Sequence, residues 1–453
     1  MIGKLSKLRQ KSGERALLLI AGGFLIVILA GAILLSLPCA ARSGRSIGFF
    51  DALFTSTSAV CVTGLVVRDT GATFSTFGRI ALMCLIQIGG LGLMTFATLI
   101  VQLAGRQLSL NSRMVLRESM NESGVGGMGP LVKWVVGSTF AIELAGAAVL
   151  CIRMIPRYGA ARGVFYSIFH SVSAFCNAGF DLFGGGASLT GYRGDLLVNI
   201  AVMALIICGG LGFGVLRGIR DSFRGKRLSL NARIVLIAYG ALFVFGAAFT
   251  LLTEWSNPDT IGNLPLGEKL LAAMFHSVTL RTAGFNTIDL SAIRPAGKLV
   301  DCVLMLIGAS PASTGGGVKV TTAAVVVLAV LATVRGEEAI HVFRRGISPQ
   351  LVRRALSVLM LAVTIWIVDS VAISLMQPEL DLIDVLFECA SAMGTVGVSA
   401  FGSANLYTGA RILIILTMYM GRIGPLTAAL ALARRYAVRP DGIKYPEENV
   451  MIG

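Results

Sequence analysis

Long apolar runs dominate the chain, at 16–37, 76–103, 131–152, 196–216, 233–253, 299–334, 355–376 and 410–433. A helix of about 18 apolar residues or more crosses the hydrocarbon of a bilayer. Within each successive pair lies a shorter, less apolar segment, at 48–62, 164–177, 269–281 and 382–394. About 13 residues make a helix of roughly 20 Å, too short to span. The pattern predicts eight transmembrane helices and four re-entrant half-helices. The first run follows a basic start, Met1 to Arg15, and Leu37-Pro38-Cys39-Ala40 has the look of a cleavage site. The run is too long for a typical signal peptide core and further spans follow, so it is read as the first transmembrane helix.

Repeats organise the pattern. RQLSLNSRMVL at 106–116 matches KRLSLNARIVL at 226–236, and IGGLGLM at 88–94 matches CGGLGFG at 208–214. The short segments match one another as well: FTSTSAVCVTGL from Phe54, FHSVSAFCNAGF from Phe169, FHSVTLRTAGF from Phe275 and FECASAMGTVGV from Phe387. The unit is helix, half-helix, glycine turn, helix, repeated in one orientation over 1–112, 113–232, 233–352 and 353–453, the last carrying a tail. The expected fold is therefore an all-α integral membrane protein of four pseudo-repeats around a central ion pore.

Composition agrees. The chain is 55% hydrophobic and 14% charged, too little charge to cover a soluble surface. The net charge of +15 is split among the N-terminal tail, the loops near 106–117, 217–233 and 335–354, and the C-terminal tail. With eight spans all five clusters fall on one side, which the positive-inside bias makes cytoplasmic. Both termini are then inside and the half-helices enter from outside. Basic residues spread in this way argue against nucleic-acid binding. The cysteines form no CxxC pair and the histidines are few and dispersed, so neither a disulfide framework nor a zinc site is expected.

Each half-helix ends in a turn: Cys61-Val62-Thr63-Gly64, Asn177-Ala178-Gly179, Thr282-Ala283-Gly284 and Thr395-Val396-Gly397. Backbone carbonyls can replace the hydration shell of a cation without adding fixed charge. Aiming successive carbonyls inward needs backbone angles that glycine adopts freely, and non-helical backbone at membrane depth is tolerated where it lines a cavity. A glycine can also merely cap a short helix; four matched copies favour a pore. ASPASTGGGV at 309–318 must break the sixth span, either as a kink or as a flexible loop in the pore. Arg422 lies mid-span, flanked by Arg411 and Arg434, and an arginine there needs a partner or water. It is expected to face the pore, or to hydrogen-bond helix ends.

The motifs VTGL at 62–65, NAGF at 177–180, RTAGF at 281–285, TVGVS at 395–399, IGASPASTGGGVK at 307–319 and YMGRIGP at 419–425 resemble the Trk/Ktr/HKT superfamily of potassium transporters. The likeness is strongest to the KtrB-type membrane subunit of bacterial Ktr systems and covers essentially the whole chain. It implies a K⁺-selective filter with one glycine from each repeat. Some relatives carry serine at the first of these and conduct Na⁺ more readily; Gly64 stands there in this chain. Cys61 stands where relatives often have threonine. The resemblance also implies an intramembrane gate at Ala309, Ser310, Ser313, Thr314, Gly315, Gly316 and Gly317, with Arg422 as a barrier beside it. It further implies K⁺ uptake, with Na⁺ as a second candidate ion, a homodimer in the bacterial inner membrane, and a cytosolic regulatory ring that binds ATP or ADP. This chain has no nucleotide motif of its own. The basic loops at 105–130 and 217–233 are candidate docking surfaces, and PEENVMIG at 446–453 resembles the family's terminus at the dimer interface.

Weaker candidates are His170, His276 and Glu388, at matched places on the half-helices and read as packing and hydrogen-bonding residues. Arg281 is expected to brace its turn. Glu143, Asp301 and Asp369 lie in or near spans, where they could serve Na⁺ coupling or pair with arginines. The rival to a pore is an alternating-access cation transporter with broken helices, which usually has inverted or two-fold repeats. No GxSxG, HExxH or paired aspartate motif suggests an enzyme.

Overall fold

A computed structural model describes residues 2–92, 95, 128–337 and 339–424. Four helices carry long apolar stretches: α1 (Ile2–Ser36), α4 (Met128–Tyr158), α8 (Leu230–Glu254) and α12 (Pro349–Met376). Each is followed by a short helix: α2 (Phe49–Val60), α5 (Ala160–Phe175), α9 (Leu266–Thr279) and α13 (Leu382–Gly394). The remaining helices of ten residues or more are α3 (Thr76–Leu91), α6 (Leu196–Leu211), α7 (Phe213–Ser222), α10 (Pro295–Leu306), α11 (Val320–Val334) and α14 (Thr408–Ile423).

The chain is a mostly helical membrane protein, but its second spans are not the continuous rods that hydropathy suggested. α3 stops at Leu91, α6 at Leu211 and α14 at Ile423. Each stop falls at a glycine of positive φ: Gly92 (79°), Gly212 (84°) and Gly424 (98°). With ψ of 135°, 146° and 134° these are not αL caps but an extended, positive-φ conformation that a residue with a Cβ adopts only with strain. The expected span 196–216 is instead a pair, α6 and α7, bent by 101°. The expected span 299–334 is two helices, α10 and α11, separated by the loop 307–319. The all-α expectation also takes one small amendment, a hairpin of β1 (Ile340–Val342) and β2 (Arg345–Ile347). The basic residues of 217–233 lie among the described residues; Arg106, Arg113 and Arg117, and the tail from 425, lie outside them.

Packing follows a rule. Each short helix lies against the long helix before it: α2 on α1, α5 on α4, α9 on α8, α13 on α12. Ser56 donates to the Ile28 carbonyl (2.7 Å), Ser171 to that of Glu143 (2.6 Å) and Ser277 to that of Phe243 (2.8 Å). Three residues on, Gly31, Gly146 and Gly246 leave room for these serines, since a Cβ would meet each hydroxyl at 2.6 Å or less. Each short helix also meets the second span of the preceding unit: α5 meets α3, α9 meets α6, α13 meets α10, and α2 meets α14. The last contact joins the two ends of the chain's helical array. At its loop end every junction carries a polar tie: Gly186 N–H to Asp69 (3.3 Å), Leu189 N–H to Asn286 (3.0 Å), Lys298 to Asp384 (2.6 Å) and Arg411 to Asp51 (3.2 Å).

Candidate functional site

The sequence-predicted turns come together. All four carry a non-glycine residue in the left-handed region: Val62 (φ 56°), Asn177 (58°), Thr282 (67°) and Thr395 (52°). Two residues later come Gly64 (99°), Gly179 (68°), Gly284 (84°) and Gly397 (95°). Positive φ at alternate residues, with an ordinary residue between, turns successive carbonyls toward one side of the strand. Left-handed backbone costs about 1–2 kcal/mol per non-glycine residue, so something must hold it.

Two devices hold it. The first is the short helix itself. Gly64 N–H donates to Ser58 Oγ and Gly397 N–H to Ser391 Oγ, both at 3.0 Å. Ser173 Oγ donates to the Phe180 carbonyl (2.8 Å) and Thr279 Oγ1 to that of Phe285 (2.6 Å). One hydroxyl per turn therefore ties the strand leaving the turn back to the helix entering it. The second is mutual packing. A Cβ on Gly64 would meet the Ala178 carbonyl at 2.6 Å, one on Gly179 would meet Gly284 Cα at 2.7 Å, and one on Gly284 would meet the Val396 carbonyl at 2.7 Å. A Cβ on Gly397 would overlap the Thr63 carbonyl. The four turns thus touch in cyclic order, first to second to third to fourth to first, with no room for any side chain at the glycines.

Second-span glycines bring this ring close to the helices around it. A Cβ at Gly89, Gly209 or Gly421 would run into the carbonyl of Val60, Phe175 or Met393, the end of a short helix in each case. This is the steric reason for the glycine-rich ends of α3, α6 and α14.

The loop 307–319 sits against the same helix ends. Ser310 N–H donates to Gly210 (3.0 Å), Thr314 N–H to Gly209 (3.2 Å) and Thr314 Oγ1 to the Phe175 carbonyl (3.1 Å). Gly316 N–H donates to Thr395 Oγ1 (3.1 Å) and Gly317 N–H to Gly421 (3.2 Å). Ser313 Oγ closes on Ser310 (2.6 Å), and Ala309 N–H on Gly316 (3.4 Å). A Cβ on Gly315 would strike the Thr282 hydroxyl. The loop is therefore an ordered lobe wedged between two second spans and touching the third and fourth turns. Arg422 donates to the Thr314 carbonyl on this lobe and to the Gly89 carbonyl at the end of α3. Lys319 Nζ donates to the adjacent Gly315 carbonyl (2.8 Å).

The weaker candidates find ordinary partners. His170 sits between the Tyr166 carbonyl (2.7 Å) and Leu182 N–H (3.3 Å) and stacks on Phe183. His276 meets Asp301 at 2.9 Å. Glu388 accepts from Ser399 and Ser403, and Asp369 from Thr417. Glu143 accepts from Gln87 (3.0 Å). The arginine pairing considered for Glu143, Asp301 and Asp369 is not found among the described residues. Arg281 is fully buried, donates to the Ser277 carbonyl (2.8 Å) and hydroxyl (3.0 Å), and lies over the Tyr239 ring. In the loop after the second turn, burial pushes Asp181 up to about 6; the Phe183 N–H opposes this shift and the nearby Asp69 adds to it.

Sequence reasoning missed Ser58, Ser173, Thr279 and Ser391, although each stands five or six residues before its glycine. It also missed Gln87, whose partner Glu143 lies in another unit, and Lys319, which bonds back to the Gly315 carbonyl four residues before it.

Comparison with known proteins places this geometry. The chain is 39% identical over 434 residues to the Ktr system potassium uptake protein B of Bacillus subtilis, covering 96% of each. It is 40% identical over 450 residues to the Vibrio alginolyticus protein of the same name, covering 98% of this chain and 96% of that one. The potassium/sodium uptake protein NtpJ of Enterococcus hirae is 38% identical over 438 residues, covering 96% of each. The crystal structure of the potassium transporter TrkH from Vibrio parahaemolyticus shares the fold, with a TM-score of 0.67 at 19% identity, over 92% of this chain and 86% of that one. Residues 20–437 match the TrkH family of cation transport proteins. The chain belongs to that family, one of transporters rather than enzymes.

Proposed function

We propose that this protein takes up K⁺ across a bacterial inner membrane through one central pore. The carbonyls of Cys61–Gly64, Asn177–Gly179, Thr282–Gly284 and Thr395–Gly397 form its filter. The observation that carries this reading is the cyclic contact of four turns with one shared backbone pattern. The C-terminal end of each short helix, with its partial negative charge, points at the turn and favours a cation. The ion needs no side-chain ligand; carbonyls alone replace its water. The names of the relatives support the ion: two are potassium uptake proteins and a third is a potassium/sodium uptake protein, which keeps Na⁺ as a second candidate.

In this reading the four helix–turn–helix units, bounded as in the sequence, surround the pore with eight spans, both termini inside. The lobe Ala309–Gly317 with Arg422 is the gate, closed when Arg422 grips Thr314 and Gly89. Uptake is driven by the membrane potential, worth about 2.3 kcal/mol per charge per 100 mV. The relatives' name makes them subunits of a Ktr system, which supports a partner for this chain; in this reading, a homodimer and a cytosolic ring that binds ATP or ADP complete the system, as the sequence resemblance implies, and this chain binds no nucleotide itself.

The test is flux of Rb⁺, K⁺ and Na⁺ into vesicles holding the purified protein, with Gly64→Ser beside it. Selective K⁺ and Rb⁺ flux is expected. The variant should lose about tenfold in discrimination, the factor that ~1.4 kcal/mol at one ion site represents. Obligate coupled exchange that ignores Gly64→Ser would replace the pore with alternating access.

A further inference from the structure

Glu143 lies on α4 between two outward-facing residues, Phe140 and Leu144, yet is itself buried. Its carboxyl oxygens accept from Gln87 Nε2 at 3.0 and 3.3 Å. Cys176 Sγ stands 3.8 Å from Glu143 Oε1 and 3.7 Å from Gln87 Oε1. Among the described residues no lysine, arginine or histidine comes within ion-pair distance of this carboxyl. A buried carboxyl without a cation is costly inside a membrane and marks a functional position by default.

The internal repeats show what is ordinary at this place and what is not. Ile28, Glu143 and Phe243 are equivalent, since each accepts a serine hydroxyl on its backbone carbonyl three residues before a matched glycine. The structural task is done by the carbonyl, and an apolar side chain suffices in two of the three. Gln87 has a similar status: aligned on the glycine pairs Gly89-Gly90 and Gly209-Gly210, its counterpart is Ile207. Both polar side chains therefore occur at the junction of the first and second units, and there they meet each other.

They also meet the turn. Cys176 is the residue between α5 and Asn177, the left-handed residue of the second turn. A Cβ on Gly90 would come within 2.5 Å of Cys176 Sγ, so α3 presses directly on this residue. Two residues from Gln87, the Gly89 carbonyl receives Arg422. Contacts thus run from the arginine at the lobe, through the end of α3 and the Gln87–Glu143 pair, to the entrance of the second turn.

We infer that Glu143 and Gln87 are positioning residues that fix the second turn from behind and thereby set the preference for K⁺ over Na⁺. This rests on the filter reading above. The pair acts through hydrogen bonding, with Glu143 accepting and Gln87 donating, so an amide at 143 preserves it and a hydrocarbon does not.

The test uses the full-length protein in detergent and follows its thermal unfolding midpoint as K⁺ or Na⁺ is titrated, because an ion bound to the native state raises the midpoint by mass action. The readout is the ratio of apparent affinities. For Glu143→Leu and for Gln87→Leu the K⁺/Na⁺ ratio should fall about tenfold, the equivalent of one hydrogen bond of ~1.4 kcal/mol. Glu143→Gln should hold the ratio within about twofold of wild type. If the leucine variants are less stable in both salts but keep the wild-type ratio, the pair is only packing and the inference fails. If Glu143→Gln loses the ratio as the leucine variants do, positioning by hydrogen bonding is overturned. A wild-type protein that does not distinguish K⁺ from Na⁺ would instead overturn the filter, and this inference with it.

Discussion

At the scale of single residues, the site depends on backbone angles more than on side chains. Val62, Thr282 and Thr395 are β-branched and left-handed, a combination that persists only where neighbours over-determine it. Here the neighbours are the Ser/Thr ties and the next turn. Charge enters in a loop beside the turns. Asp181 and Asp69 flank the loop that follows the second turn, and with its pKa pushed up to about 6 Asp181 is ionised at neutral pH and neutral in mild acid. In the pore reading proposed above, a carboxylate in this loop concentrates cations beside the filter. Uptake should therefore fall as pH drops through about 6, by roughly fivefold or less for one screened charge of ~1 kcal/mol. Asp181→Asn should give the lower rate at neutral pH and flatten the profile. Flux of Rb⁺ at fixed membrane potential between pH 5 and 8 checks this; an unchanged profile in the variant would remove Asp181 from the conduction path. The glycines were legible because their motif recurs in every unit, ten residues after a phenylalanine in three and nine in the third. The aspartate was not, because its shift arises from burial under a loop whose course no local pattern gives.

At the scale of elements, hydropathy located the long helices α1, α4, α8 and α12, and the short ones to within a few residues: 48–62 became Phe49–Val60 and 382–394 became Leu382–Gly394. It misread the second spans. Apolar composition runs through Gly212 without a pause, and the 101° bend there follows from a positive φ and from contact with Pro311 and Ala312, both distant in sequence. The lobe that causes this contact is held chiefly by carbonyl acceptors. Arg422 adds charged donors to two further carbonyls, Thr314 on the lobe and Gly89 at the end of α3, and hydrogen bonds to charged groups are worth about 1.5–3 kcal/mol each. In the gate reading proposed above, Arg422→Gln should release the lobe and raise Rb⁺ uptake about tenfold or more, with Arg422→Lys intermediate because one ammonium cannot span both acceptors. A folded Arg422→Gln protein with unchanged or lower uptake would make the arginine a brace alone.

The whole molecule turns a soluble protein's distribution of polarity inside out. Ile26, Leu144, Leu252, Val334 and Leu375 are all more than half exposed, while the serines and threonines of α2 and α5 are buried. Such a surface is stable only against lipid. The two readings of transport then differ in handedness across the bilayer. Parallel units return the chain to the same side after every pair of spans, so the loop after α1 and the loop after α5 share one face. Inverted repeats, the usual plan of alternating-access carriers, place equivalent loops on opposite faces. The native chain carries a probe for the first loop, since Cys39 is exposed at the end of α1, where its carbonyl accepts from Ser75 Oγ (2.6 Å). Ala187 is exposed in the second. In a protein with the exposed Cys84 changed to serine, a membrane-impermeant maleimide should label both Cys39 and Ala187→Cys in intact cells. Arg224→Cys, in the basic loop before α8, should label only after the membrane is opened. Labelling of Cys39 and Ala187→Cys from opposite sides would be incompatible with four parallel units, and with it a ring of four equivalent turns drawn from one orientation would lose its topological basis.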